Sequence, residues 1–236
     1  MSRFASSLSL GPEAPAYPEL AGKRVLITGA SNGVGHEIAN AYARQGCRLV
    51  LQFDGATSED FSHADSMRDA AAGMRVFDCA LTDEAAARRL ANTAVRAFQG
   101  IDVIVHNVSA VPFDTGDSRD LDAFDDAIAE NLMTACAMSE EIAAAMQQRG
   151  LAGSIIYAAE VGALDNDETY ARYAVAKVGL EAITQGQAWE WADDGIGVNA
   201  LLAGPKADTR EIAGAAVYQA TEDAFWISGK TLSFGT

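Results

Sequence analysis

No run in this 236-residue sequence is apolar for long enough to cross a bilayer, which takes about 20 consecutive apolar residues. The opening stretch MSRFASSLSLGPEAPAYPEL has no continuous apolar core of signal-peptide type. Pro12, Pro15 and Pro18 suit neither helix nor strand there, so residues 1–20 read as an irregular arm before one domain at 21–236. Cysteine is scarce. Cys47, Cys79 and Cys136 are odd in number and far apart, with no Cys-x-x-Cys pair. That suits reduced thiols used for packing in a reducing compartment, so the expected address is the cytoplasm. Basic residues are also few, 17 against 33 acidic, for a formal charge of −16. A nucleic acid needs a basic face and an anionic membrane attracts one, so neither is an expected partner. The three histidines, His36, His63 and His106, show no metal-ligand spacing. His106 reads as a strand-end histidine satisfied by backbone contacts.

What remains is an ordinary globular composition, 49% hydrophobic, with a strong alternation. Short β-rich runs occur at Arg24–Thr28, Cys47–Phe53, Met74–Asp78, Ile101–His106, Ser154–Ala158, Gly197–Leu202 and Lys230–Phe234. Between them lie segments of helical period: Gly33–Arg44 closed by Gly46, Ala64–Ala72, Asp83–Phe98 capped by Thr82, Asp120–Arg149 broken near Asn131, Glu168–Asp193, and Thr209–Ala220. Alternation of this kind predicts an α/β fold. It is a single Rossmann-like, doubly wound parallel sheet of about seven strands with helices on both faces. Ligands bind such sheets at the carboxyl ends of the strands, near the topological switch point.

Two motifs carry chemistry. TGASNGVG at Thr28–Gly35 turns the first strand into a helix. Glycine allows positive φ and close backbone approach, and the helix N-terminus offers free N–H groups to a pyrophosphate. Gly29, Ser31, Asn32, Gly33, Val34 and Gly35 are therefore candidate cofactor contacts. Further on, YAVAK places Tyr173 and Lys177 four residues apart, on one helical face. A phenol near pKa 10 is a poor base at neutral pH, and an adjacent cation favours its ionised form. Asp78 closes the third strand and either accepts a hydrogen bond from an adenine amino group or caps a turn. Asp54, just past the second strand in LQFDG, is placed to bind adenosine ribose hydroxyls, with Phe53 as the alternative occupant. A carboxylate there repels a 2′-phosphate, so NAD(H) is favoured over NADP(H).

The two motifs in this order resemble the short-chain dehydrogenase/reductase family, over about Leu20 to Gly235. The resemblance implies that Tyr173 is the catalytic acid/base and that Lys177 lowers its pKa and holds the nicotinamide ribose. It implies further that Asn131 supports a proton relay, that Asp78 contacts adenine, and that Asn107 and Gly204 belong to the cofactor site. It also implies a homodimer or homotetramer through the two long helices and the last strand.

The chain departs from the family pattern in several places. The family's catalytic serine lies thirteen residues before the tyrosine, and that position here is Glu160, with no serine from Ile155 to Lys177. HNVS replaces N-N-A-G, so Ser109 stands where the family has glycine, and Ala203-Gly204 replaces Pro-Gly. The helical insertion that closes over the substrate in the family is missing where AGPKADT passes to REIAGAAV, with Thr209 and Glu211 nearly adjacent, which leaves the cleft open unless the arm or a neighbouring subunit covers it. Two expectations follow. One is an oxidoreductase acting on a small alcohol or carbonyl compound. The other is a non-catalytic dinucleotide-binding or assembly protein, because an ionised Glu160 cannot donate a hydrogen bond to a substrate.

Overall fold

A computed structural model describes residues 15–31, 33–109, 132–160, 167–204 and 206–235; for 108–109, 160 and 167–177 it describes the backbone alone. Seven strands, β1 (Arg24–Ile27), β2 (Arg48–Phe53), β3 (Gly73–Asp78), β4 (Val103–Ser109), β5 (Gly153–Glu160), β6 (Ile196–Ala203) and β7 (Lys230–Phe234), form one sheet in the order β3-β2-β1-β4-β5-β6-β7. Every pairing is parallel. The described helices are α1 (Gly33–Arg44), α2 (Ser58–Ser66), α3 (Glu84–Phe98), α4 (Thr134–Gln147), α5 (Asp167–Glu190) and α6 (Thr209–Gln219). Strand order reverses between β1 and β4, so the switch point of this doubly wound sheet lies between their carboxyl ends.

Successive strand residues point to opposite faces, and the core divides accordingly. Leu26, Val50, Ile104, Ile155 and Tyr157 pack with α3, α4 and α5. Val25, Ile27, Leu49, Leu51, Val105 and Ile156 pack with α1, α2 and α6. Each such aliphatic side chain, fully buried, contributes roughly 1.5–3 kcal/mol before ordering entropy offsets it.

Three local expectations are corrected. The second helix runs from Ser58, not from Ala64 to Ala72. Thr57 and Asp60 form a capping box, each side chain bonding the other's backbone N–H, and this starts the helix early in a segment with little apolar period. The cap of α3 is Asp83, whose side chain accepts from the Ala86 N–H at 2.6 Å, rather than Thr82. His106 contacts side chains, as described below. Elsewhere the limits shift by one to three residues at strand and helix ends. Ahead of α4 the chain makes a π-helical turn at Leu132–Met133. The break expected near Asn131 lies outside the described residues.

At the amino edge of the sheet, Arg24 at the start of β1 grips Asp102 before β4. Nε and one terminal nitrogen reach the two carboxylate oxygens at 2.8 and 2.5 Å, and the Arg24 backbone N–H adds a third bond at 2.8 Å. The end of the N-terminal arm packs nearby. Tyr17 N–H donates to Gln45 Oε1 at 2.8 Å, beyond the end of α1, and Leu20 is buried. Residues 15–20 therefore do not cover the carboxyl edge, and residues 1–14 lie outside the described residues.

Candidate dinucleotide site

At the carboxyl edge β1 runs into the glycine loop. Gly29 and Gly33 have φ of 58° and 54°, the left-handed region that glycine adopts without strain. Gly35 has a different reason to be glycine: a Cβ there would lie 2.1 Å from the Gly29 carbonyl oxygen, so the start of α1 rests directly on the loop it leaves. The loop thus brings backbone to the head of a helix with no side chain in the way, the geometry that suits a pyrophosphate. Val34 is buried in the first turn of α1 and Ser31 is half-buried; Asn32 lies outside the described residues.

Two amides hold this loop. Asn107 Nδ2 donates to the Gly29 carbonyl at 3.0 Å, and the Asn107 N–H donates to Thr28 Oγ1 at 3.2 Å. Asn107, expected to contact a cofactor, therefore gives one of its two side-chain N–H groups to the loop backbone. The second amide, Gln52, is one that sequence reading missed. Its Oε1 accepts from Gly29 N–H at 2.8 Å, and its Nε2 donates to Phe53 and Cys79 carbonyls, each at 2.8 Å. The available signal was a lone amide in the otherwise apolar run LVLQF, since buried polar groups are there to be bonded.

Of the two residues weighed for the end of β2, Phe53 is buried with its ring 5.6 Å from Phe61, while Asp54 is exposed. Asp78 is exposed at the end of β3, paired in register with Phe53, and accepts from Ala56 N–H, in the loop after β2, at 3.4 Å. Both carboxylates lie near Cys79, whose thiol is pushed up by burial and then by the charges of Asp78 and Asp54. Gly204 is fully enclosed; its N–H donates to Phe234 at 2.8 Å, and a Cβ would meet the Gly235 carbonyl at 2.6 Å. Only residues 204–208 separate β6 from α6.

The backbone places positions 173 and 177 one turn apart in α5 and Glu160 as the last residue of β5, between Ser109 of β4 and Ala203 of β6. The side chains of Glu160, Tyr173 and Lys177, and the whole of Asn131, lie outside the described residues. Glycine loop, Asn107, Asp54 and Asp78 thus gather at the edge that also receives Glu160 and Ser109.

Beneath this edge runs a buried polar chain. The His106 ring stacks on Tyr157, 5.0 Å between centroids, and its Nε2 lies 2.8 Å from Ser139 Oγ. Ser139 Oγ is 2.9 Å from the Tyr157 hydroxyl, which donates to Gln187 Oε1 at 2.6 Å. With Tyr157 donating onward, one proton order satisfies both Ser139 contacts: Ser139 donates to Tyr157 and accepts from His106 Nε2–H, which assigns the tautomer. Burial pushes the His106 pKa down to about 3, so the ring is neutral. Burial likewise raises the Tyr157 phenol, and its hydroxyl is consumed in the core. The chain joins β4, β5, α4 and α5. His36 and His63 also come together, ring centroids 5.4 Å apart. Among the described residues no cluster of His, Cys, Asp or Glu is arranged to hold a metal, and no helix is long and apolar enough to cross a membrane.

Comparison with known proteins agrees with this geometry. The family model described as enoyl-(acyl carrier protein) reductase matches residues 29–209. L-rhamnose 1-dehydrogenase (NAD(P)(+)) of Azotobacter vinelandii is 31% identical, over 77% of this chain and 72% of its own. D-threitol dehydrogenase of Mycolicibacterium smegmatis is 27% identical, over 90% of this chain and 91% of its own. An NADH-dependent reductase crystallised in complex with NAD superposes with a TM-score of 0.79 at 25% identity, over 92% of this chain and 96% of that one.

Proposed function

Since the chain belongs to the short-chain dehydrogenase/reductase family of NAD(P)-linked oxidoreductases, we propose that it interconverts a small alcohol and its carbonyl compound with Tyr173 as the acid/base. The observation that carries this reading is the glycine cradle, in which Gly35 rests on Gly29 so closely that no Cβ fits. That cradle suits the pyrophosphate of a nicotinamide dinucleotide, which when bound supplies or accepts hydride. Loop N–H groups at the head of α1 bind the phosphates. Exposed Asp54 accepts from the adenosine ribose and repels a 2′-phosphate, so NAD(H) is the preferred form. Lys177, one helical turn from Tyr173, stabilises the phenolate. Tyr173 then gives its proton to the substrate oxygen in reduction and takes it back in oxidation.

Relatives named for L-rhamnose and D-threitol make sugars and polyols the first compounds to try. Trp189 on α5 and Trp226 ahead of β7 are 88% and 87% exposed, which supports assembly as a homo-oligomer, checked by sedimentation.

Tyr173→Phe tests the central claim. Turnover should fall by roughly 10²–10⁴-fold, the usual worth of a general acid, while calorimetric NADH affinity stays within about threefold because the phenol adds little to ground-state binding. Activity that survives the change removes Tyr173 from its role. Glu160 favours a second reading, a dinucleotide-binding protein without turnover, since an ionised carboxylate at the end of β5 has no proton to donate. NADH binding with no oxidation or reduction across a broad panel would select it.

A further inference from the structure

The buried amide of Gln52 sits near the carboxyl end of β2, between β3 and β1 in the sheet, and belongs to no motif in the sequence. The residue is 3% exposed. Its one acceptor and two donors are all used, and every partner is a backbone group at the end of a different strand: Gly29 past β1, Phe53 closing β2, and Cys79 past β3. Its own carbonyl accepts from Ala30 N–H at 3.0 Å. These roles also fix which end of the amide is oxygen, because Gly29 N–H needs an acceptor and the two carbonyls need donors.

We infer that Gln52 is a positioning residue of the dinucleotide site, joining the glycine loop to the strand ends that carry Asp54 and Asp78 so that the phosphate cradle and the adenosine wall form one rigid unit; this rests on the dinucleotide reading given above. Gly29 shows the effect most clearly. Its N–H is held by Gln52 and its C=O by Asn107, so the peptide units on both sides of its Cα are fixed. Its N–H is turned away from any ligand, and phosphate must be met by N–H groups further along the loop. Sheet packing alone does not require an amide at this position. An aliphatic residue would bury equally well in β2 and would avoid the desolvation of an amide. The amide is compensated only because it satisfies three backbone groups at once.

The test uses Gln52→Met, which keeps length and volume and removes every hydrogen bond, and Gln52→Asn, which keeps the amide but is too short to bridge Gly29 and Cys79. Should Gln52→Met not fold, Gln52→Asn carries the measurement. NADH affinity by calorimetry should weaken about tenfold or more, the effect of one lost buried hydrogen bond. Hydrogen exchange of residues 28–35 should quicken, while exchange in β5 and β6 stays as in the parent protein. A purely structural role predicts a lower melting temperature with NADH affinity within about twofold of the parent, and that result overturns the inference. A parent protein that binds neither NADH nor NADPH overturns the dinucleotide reading together with this one. A parent that binds and variants that bind equally well overturn this one alone.

Discussion

At the amino edge of the sheet Arg24 and Asp102 meet charge to charge, both side chains largely covered, with three bonds between them. At the carboxyl edge the glycine loop is held by neutral amides, buried Gln52 and half-buried Asn107, and what they hold is backbone. The carboxylates there, Asp54 and Asp78, are exposed and make no ion pair among the described residues. Charge neutralised inside the molecule serves cohesion. Charge left facing outward, on a loop kept rigid by uncharged groups, is available to a ligand. Amides suit the second task because they fix a loop without adding a field of their own to the site.

The strongest way to break this contrast is Gly35→Ala. The added methyl would lie 2.1 Å from the Gly29 carbonyl, and the obstacle is backbone, so α1 or the loop must move. NADH affinity should fall by roughly 100-fold, as overpacking of this degree displaces the cradle. Calorimetry measures it, and an affinity near the parent's would show that the loop is not the phosphate site.

Asp102→Asn is the opposite case. It leaves the Arg24 guanidinium without its counter-charge and should cost about 3 kcal/mol of stability, with NADH affinity unchanged. Burial by itself raises the Asp102 pKa, but the hydrogen bonds and charge of Arg24 together hold it below the ordinary carboxylate value. A carboxyl group depressed in the folded state binds its proton more readily when unfolded. Its contribution is therefore complete above the ordinary carboxylate pKa and is lost as pH falls through the folded value. Denaturant melts of the parent and the D102N variant should converge as the solution is acidified. Parallel curves would mean that the pair adds nothing.

The same contrast explains what could be read from the sequence. The parallel sheet, α1 with its Gly46 stop and β7 with its limits all follow from local period and turn residues, and the glycine loop follows from local spacing. Helix α2 did not, because SEDFSHADS has little apolar period and its start is signalled only by Thr57 pairing with Asp60. Thr82 and Asp83 are adjacent cap formers, and only the extended backbone of Asp83 decides between them. Gln52 lies 23 residues from Gly29 and 27 from Cys79, and His106 lies 33 from Ser139. Such pairings are created by strand order, and no local pattern announces them. Of the two positions weighed at the end of β2, Phe53 packs inward and Asp54 is exposed, a difference that the packed fold creates.

The smallest expected effect lies back at the amino edge, where cohesion is not perfect. Gln219, at the end of α6, is 4% exposed, and neither its side-chain oxygen nor its nitrogen has a hydrogen-bond partner among the described residues. Its backbone carbonyl accepts from Ser154 Oγ near the start of β5 at 3.1 Å. Compare Gln52, an amide as deeply buried with every polar atom bonded. If burial of an amide is compensated by its bonds, Gln52 is compensated and Gln219 is not. Gln219→Leu keeps a similar volume and removes the uncompensated atoms. It should raise stability by about 1 kcal/mol, or roughly 2–4 °C in melting temperature for a chain of this size. NADH affinity should not move, because Gln219 lies against Ser154 at the start of β5, at the opposite edge of the sheet from the glycine loop. A loss of stability in a melting experiment would mean that the amide holds an internal water, and that this edge too satisfies its buried groups.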